Sequence, residues 1–205
     1  MKSSIIWLDS VDSTNSEAKR CVSDVGSWTV ISAKQQTHGR GQNGNKWFSE
    51  KSKNLTFSLI LKDLSIRSRN QSAISEAISV AIVDALESYK ITARIKWPND
   101  IYCGKNKIGG ILIEHSIMGD KIRWSIVGIG LNVNQRIFPL EIPNPTSMFL
   151  CCSDQDIEYP LDQVMERILF KFEEYHNTYL QNEDNLTGLR QIYQDLLISV
   201  KDLHL

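Results

Sequence analysis

Long apolar runs are missing from this chain of 205 residues. No stretch approaches the roughly 18 residues that a membrane-spanning helix needs, which argues against a membrane partner. The opening MKSSIIWLDS holds one lysine and a short apolar patch ending at Asp9. That is too little for a secretory signal, and it reads as a first strand. Cysteine is sparse, and Cys21, Cys103, Cys151 and Cys152 make no C-x-x-C pair and have no histidine at metal spacing. A zinc site is thereby disfavoured, and reduced thiols in a cytoplasmic protein are the simple reading. An excess of either charge is lacking too, since 23 Lys and Arg stand against 24 Asp and Glu, net -1. Bulk electrostatics therefore gives no reason to expect DNA as a partner. Internal repeats and low-complexity segments are absent. Proline is scarce, and four of the five fall within 137–160, which reads as a surface excursion or connector. The four histidines, His38, His115, His176 and His204, support no Ser–His–Asp arrangement, and the last two are expected to be solvated.

What is present is ordinary globular material, 41% hydrophobic and 23% charged, enough for one sizeable domain or a domain with a small appendage. Ser3–Leu8, Trp28–Lys34 and Leu55–Leu61 read as strands. Thr14 followed by Glu17 reads as a capping box, with a helix starting at Asn15. Ala73, Ile74, Ala77, Ile78, Ala81, Ile82, Ala85, Leu86 and Tyr89 recur at three and four residues, the spacing of an amphipathic helix. Arg94–Trp97 is a short strand stopped by Pro98. Gly109–His115 and Ile122–Val133 are strands joined by the turn MGDK. Val164–Leu180 and Leu186–Leu197 complete the helices. Consecutive strands pair directly while helices are interleaved. This predicts an α+β fold, a mixed and largely antiparallel sheet backed by helices. The division is 1–183 for the main domain and 184–205 for a short helical extension.

Five stretches are more polar or glycine-rich than a plain core needs. Asp12-Ser13-Thr14-Asn15 sits at a strand-to-helix junction, beside free helix N–H donors. Gln36 to Trp47 spaces Gly39, Gly41 and Gly44 around the permanent cation Arg40. It fits neither the P-loop pattern nor, lacking a preceding strand and a following helix, a dinucleotide fingerprint. Lys96-Trp97-Pro98-Asn99-Asp100 displays several groups after a broken strand. Lys107 precedes Gly109 and Gly110, and Gly128 and Gly130 precede Asn132 on one strand face. Each has a plain alternative: an N-cap, a mobile surface loop, an Asn/Asp turn, a surface lysine, a close backbone approach. Together they describe a sheet face with glycine windows, two cations and several amides, suited to a phosphate-bearing ligand beside a neutral polar one.

In this order and spacing, DSTN at 12–15, QTHGRGQNGNKWF at 36–48, KWPND at 96–100, KIGGILIE at 107–114 and GIGLNVN at 128–134 resemble the biotin protein ligases, over about residues 1 to 180. The resemblance implies the biotin/lipoate ligase catalytic fold. It implies ATP and biotin as substrates with Mg2+, biotinyl-5′-AMP as intermediate, and transfer to a lysine of a biotin carboxyl carrier protein. Carried onto this chain, Ser13, Thr14, Asn15, Gln36, Gly39, Arg40, Gly41, Gln42, Lys107 and Gly110 line the biotin site. Arg40, Trp47, Asn99, Lys107 and Asn132 hold the nucleotide, Lys107 and Arg40 are the catalytic cations, and Asp100 positions the incoming lysine. The resemblance identifies no metal ligands and leaves monomer or homodimer open. Two departures stand out. Gln42 occupies a place where many members carry a second arginine. Neither an N-terminal DNA-binding domain nor a full C-terminal β-barrel is expected in this sequence. A lipoate or octanoate ligase of the same fold and a non-catalytic biotin-binding module are the rival readings.

Overall fold

The computed structural model describes residues 4–152 and 158–198. Ser3, part of the proline-rich segment and the end of the C-terminal stretch, with His204, lie outside the described residues. Seven strands form one sheet: β1 (Ser4–Leu8), β2 (Thr29–Ala33), β3 (Leu55–Lys62), β4 (Arg94–Lys96), β5 (Asp100–Cys103), β6 (Asn106–Met118) and β7 (Lys121–Leu131). Their order is β1-β2-β3-β7-β6-β5-β4, and only the β1–β2 pair is parallel. The helices are α1 (Thr14–Cys21), α2 (Ser72–Glu87), α3 (Met148–Cys151), α4 (Leu161–Tyr175) and α5 (Leu186–Asp195). The expected mixed, largely antiparallel sheet is therefore present.

Strand alternation divides the sheet into two chemically different faces. Leu55, Phe57, Leu59 and Leu61 of β3 and Val127, Ile129 and Leu131 of β7 point into one core with α2, α4 and α5. Burying each such side chain contributes about 1.5–3 kcal/mol. Alanines 73, 77, 81 and 85 give α2 a flat, small-residue face that lies close to the sheet. On the opposite face α1 covers only a small cluster of Ala18, Ile31, Ile60 and Ile126. The rest of that face carries Ser58, Gly128 and Leu112 in one cross-strand row, and Thr56, Gly130, Gly110 and Asp100 in the next.

Several expectations change. The capping box does not form. Ser13 is the N-cap without a side-chain bond, because Thr14 is engaged by Gln36 and Glu17 pairs with Arg20. β5 has no counterpart in the sequence reading, being four residues long and lying directly behind a proline turn. The 137–160 connector is not wholly a surface excursion. Thr146 to Phe149 are buried, because Lys107 pairs with this segment through Lys107 N–H to Asn144 O at 2.7 Å and Thr146 N–H to Lys107 O at 2.9 Å. His176 is not solvated. It is buried edge-on against Trp28, with ring centroids 4.9 Å apart, and burial lowers its pKa. In α5, Leu186, Leu189 and Tyr193 join the main core, and Ile198 N–H extends the β4 edge by bonding Ile95 O at 2.8 Å.

Candidate active site

The glycine-spaced stretch is a folded flap. Trp47 N–H bonds Gly39 O at 2.9 Å, Gly41 N–H bonds Asn45 O at 2.7 Å, and Arg40 bridges Lys46, so 39–47 closes as a small hairpin. Its tip turns through Asn43 (φ 55°) and Gly44 (φ 81°). The Asn43 conformation is one that asparagine tolerates better than most residues. The hairpin is rooted on the connection between β1 and α1 by Thr37 N–H to Val11 O and His38 N–H to Asp12 O. Its last residue, Trp47, lays its indole across the sheet. A Cβ on Gly130 would fall 2.6 Å from Trp47 Cζ2, and one on Gly110 would fall 3.3 Å from Cζ3. The strand glycines therefore make room for this ring.

Between flap and sheet lies a cavity of about 180 Å³. Ser13, Thr14 and Asn15 enter it from the start of α1, and Gln36, Arg40, Gly41, Gln42 and Trp47 from the flap. Asn99 comes from the turn before β5, Asp100 from the start of β5, and Lys107 and Gly110 from β6. The structure thus brings together all but two of the residues that the resemblance assigns to the biotin and nucleotide sites. Gly39 does not line the cavity. A Cβ there would fall 3.3 Å from the Trp47 carbonyl carbon, so its place is inside the hairpin. Asn132 also stands apart. It follows the last residue of β7, donates from Nδ2 to Thr146 O at 2.9 Å, and has a buried Oδ1 without a partner.

One end of the cavity is neutral and heavily hydrogen-bonded. Gln36 Oε1 accepts from Thr14 N–H at 2.8 Å, and Ser58 Oγ donates to Asn15 Oδ1 at 2.6 Å. A Cβ at Gly128 would fall 2.8 Å from Asn15 Cγ, so this glycine admits the buried amide. Asp12 stays outside the cavity. Arg20, 2.7 Å away, and the Ser13 N–H hold its carboxyl well below the usual range.

The charged end carries two cations, each with a carboxylate. Lys107 Nζ lies 2.6 Å from Asp100 and 5.8 Å from the Trp47 ring. Arg40 lies 3.2 Å from Glu114. The Trp47 Nε1 donor is buried without a partner and lies over Gly130. Ser58 and Glu114 were missed in sequence as functional residues. Their signal was a serine inside LTFSLIL and an acid ending KIGGILIE, each on the glycine face of its strand. Among the described residues no group of three or more His, Cys, Asp or Glu could hold a metal ion.

A mixed sheet with a hinged glycine hairpin over one face, two cations and a row of amides defines a site for an anionic small molecule with a neutral polar head. The chain belongs to the biotin/lipoate A/B protein ligase family, whose family model matches residues 7–132. It is 30% identical over 201 residues to the bifunctional ligase/repressor BirA of Bacillus spizizenii, covering 96% of this chain and 60% of that protein. It is 35% identical over 138 residues to the biotin–protein ligase of Homo sapiens, covering 63% of this chain and 17% of that one. The chain thus spans about 60% of the length of the BirA relatives it matches. In structure it resembles the biotin protein ligase of Aquifex aeolicus solved with biotin and ATP, with a TM-score of 0.82 at 29% identity, covering 96% of this chain and 79% of that one.

Proposed function

We propose that this chain activates biotin with ATP to biotinyl-5′-AMP and transfers biotin to a lysine of a biotin carboxyl carrier protein in the cytoplasm. Residues 1–183 carry the reaction and 184–205 form a short extension. The observation that carries the reading is that Arg40 and Lys107, each held by a carboxylate, line one cavity whose other end is made of hydroxyls and amides.

In this reading Ser13, Thr14, Asn15 and Gln36 take the neutral ring system, with Gly39 shaping the flap from within. Gly110 lets the chain lie on the sheet. The biotin carboxylate oxygen attacks the α-phosphorus, and the bond to pyrophosphate breaks. Two anions meet in this step, and Lys107 and Arg40 offset their repulsion and stabilise the charge that grows at phosphorus. Trp47 and Asn99 border the nucleotide, and Asn132 supports that wall from behind. The closed flap keeps water from the mixed anhydride. The carrier lysine nitrogen then attacks the acyl carbon, and AMP leaves. Asp100 orients that amine. Among the described residues no acidic cluster would hold magnesium by itself, so an ion would come with the nucleotide and would supply charge neutralisation for the leaving pyrophosphate.

Biotin-dependent pyrophosphate release from ATP is the test. Dependence on lipoate instead, or no release, would overturn the proposal. Lys107→Ala and Arg40→Ala should each slow release by about 10² to 10³ with the fold retained.

A further inference from the structure

Glu114 sits behind the cavity wall and is not accounted for by any role above. It lies on β6, on the same face as Gly110 and Leu112, opposite Ile126 of β7. Its side chain is 21% exposed. Both carboxylate oxygens are committed. Oε1 accepts from Arg40 NH2 at 3.2 Å, while Oε2 accepts from Arg40 NH1 at 3.4 Å and from Asn15 Nδ2 at 3.1 Å. Asn15 is the buried amide admitted by Gly128, and its other contacts are Leu112 O at 3.1 Å and Ser58 Oγ at 2.6 Å. One carboxylate therefore ties the cation of the flap to the amide at the neutral end.

The tie is directional. Beyond Glu114, the remaining side-chain partner of Arg40 is Ser16 Oγ at 3.4 Å, a neutral acceptor that lacks the charge assistance of a carboxylate. Arg40 belongs to a hairpin with no apolar anchor other than Trp47, so its guanidinium has few other constraints on where it points. A neighbouring carboxylate fixes both nitrogens of the fork at once. On the Asn15 side, two acceptors, Glu114 Oε2 and Leu112 O, together require Nδ2 there, which leaves Oδ1 toward Ser58 and sets which way the amide faces the cavity.

We infer that Glu114 is a positioning residue that aims Arg40 over the cavity and fixes the orientation of the Asn15 amide. It acts through both groups and touches neither substrate. Its effect on turnover rests on the reaction proposed above, whereas its hold on the flap does not.

Two measurements on Glu114→Gln test this, with a thermal melt to verify folding. The first uses trypsin on the ligand-free protein. Cleavage after Arg40 should be several-fold faster than in the wild type, while cleavage after Lys105, in the exposed β5–β6 turn, is unchanged. Equal rates at Arg40 would overturn the inference, whatever the enzyme's substrate. The second is a double-mutant cycle read by biotin-dependent pyrophosphate release. Alone, Glu114→Gln should lower kcat by about 10- to 100-fold, the scale of a misplaced catalytic group. In an Arg40→Ala background the kcat loss should vanish, while the rise in biotin KM from the misoriented Asn15 persists. Losses in kcat that multiply in the double variant would overturn it. Should Glu114→Gln fail to fold, Glu114→Asp keeps the charge on a shorter arm and should show the same pattern more weakly. Absence of biotin-dependent release from the wild type would sink the proposed reaction and leave the trypsin result to decide this inference.

Discussion

Replacing Gly130 by alanine separates the flap from the fold. The added methyl would meet Trp47 at 2.6 Å from Cζ2 and 2.7 Å from Nε1, distances that force the indole away. The strand has nothing else to lose. Gly130 is extended and paired with Thr56 and Gly110, and alanine there restricts the unfolded chain, a gain of about 0.4–1 kcal/mol. The flap does lose. An aromatic side chain buries about 150–250 Å², and a half-buried Trp47 keeps about half of that against the sheet. At about 25 cal/mol per Å², expelling it removes about 2.5 kcal/mol from the closed flap. With tenfold per 1.4 kcal/mol, the closed-to-open ratio falls about 60-fold. If turnover needs the closed flap, kcat/KM for biotin falls by up to that factor, while the melting temperature falls by no more than the closed flap contributes to the folded state, offset in part by the chain-entropy gain. Tryptic cleavage after Lys46 should accelerate in parallel. Gly110→Ala is the internal comparison, because its methyl lies 3.3 Å from Trp47 Cζ3 and a small ring shift relieves it. In a Trp47→Ala background the Gly130 substitution should change nothing further. A Gly130→Ala protein with wild-type turnover and wild-type flap protection refutes the reasoning.

The remaining predictions concern the flap tip and the core. Gln42 lines the cavity as an uncharged amide, so on the proposed reaction Gln42→Arg should add a cation for the phosphate and slow the escape of biotinyl-adenylate. Equal escape rates, followed with labelled adenylate, would remove that idea. Burial pushes the imidazoles of His115 and His176 below their ordinary value of 6.5, so the folded state favours the neutral form. The unfolded chain then binds more protons as pH drops below about 6.5, and their contribution to stability, complete above that pH, shrinks below it. Melting temperature should decline from pH 7.5 to 5.5, and His176→Phe should flatten the decline; a flat wild-type profile contradicts this.

How much of the site could be read from the chain follows from which contacts are local. Ser13 to Asn15, Arg40 and Lys107 were visible because each lies in a short stretch with more polarity or glycine than a strand or helix requires. Helix α2 was visible because its stripe of alanine, isoleucine and leucine repeats along eight positions of one element, Ala73 to Leu86. Glu114 and Ser58 were not singled out, since their importance lies in what packs against them, and the side chain of Asn15 on α1 joins residues 58 and 114 across long separations. Asn132 shows the reverse failure. Period-two alternation puts it beside Gly128 and Gly130, but β7 ends at Leu131, and the amide turns into the 144–147 segment instead. The four-residue strand β5 carries too little pattern to be seen, yet it supplies Asp100, the partner of Lys107.

The pairing of each cation with its own carboxylate bears on how such a site discriminates. Two unpaired cations in one small cavity would repel each other, a penalty that solvent screens only in part. Glu114 and Asp100 remove that penalty in the ligand-free protein. An arriving carboxylate or phosphate then gains only the difference between its own interaction and the one it replaces. A weakly charged or neutral molecule gains nothing and leaves both pairs intact. A ligand that carries negative charge to the junction of the two cations, and a neutral polar head to the amides beyond, satisfies both ends together. Selectivity then resides in the exchange of partners at Arg40 and Lys107, which is why weakening the carboxylates should alter discrimination between anions as well as rate.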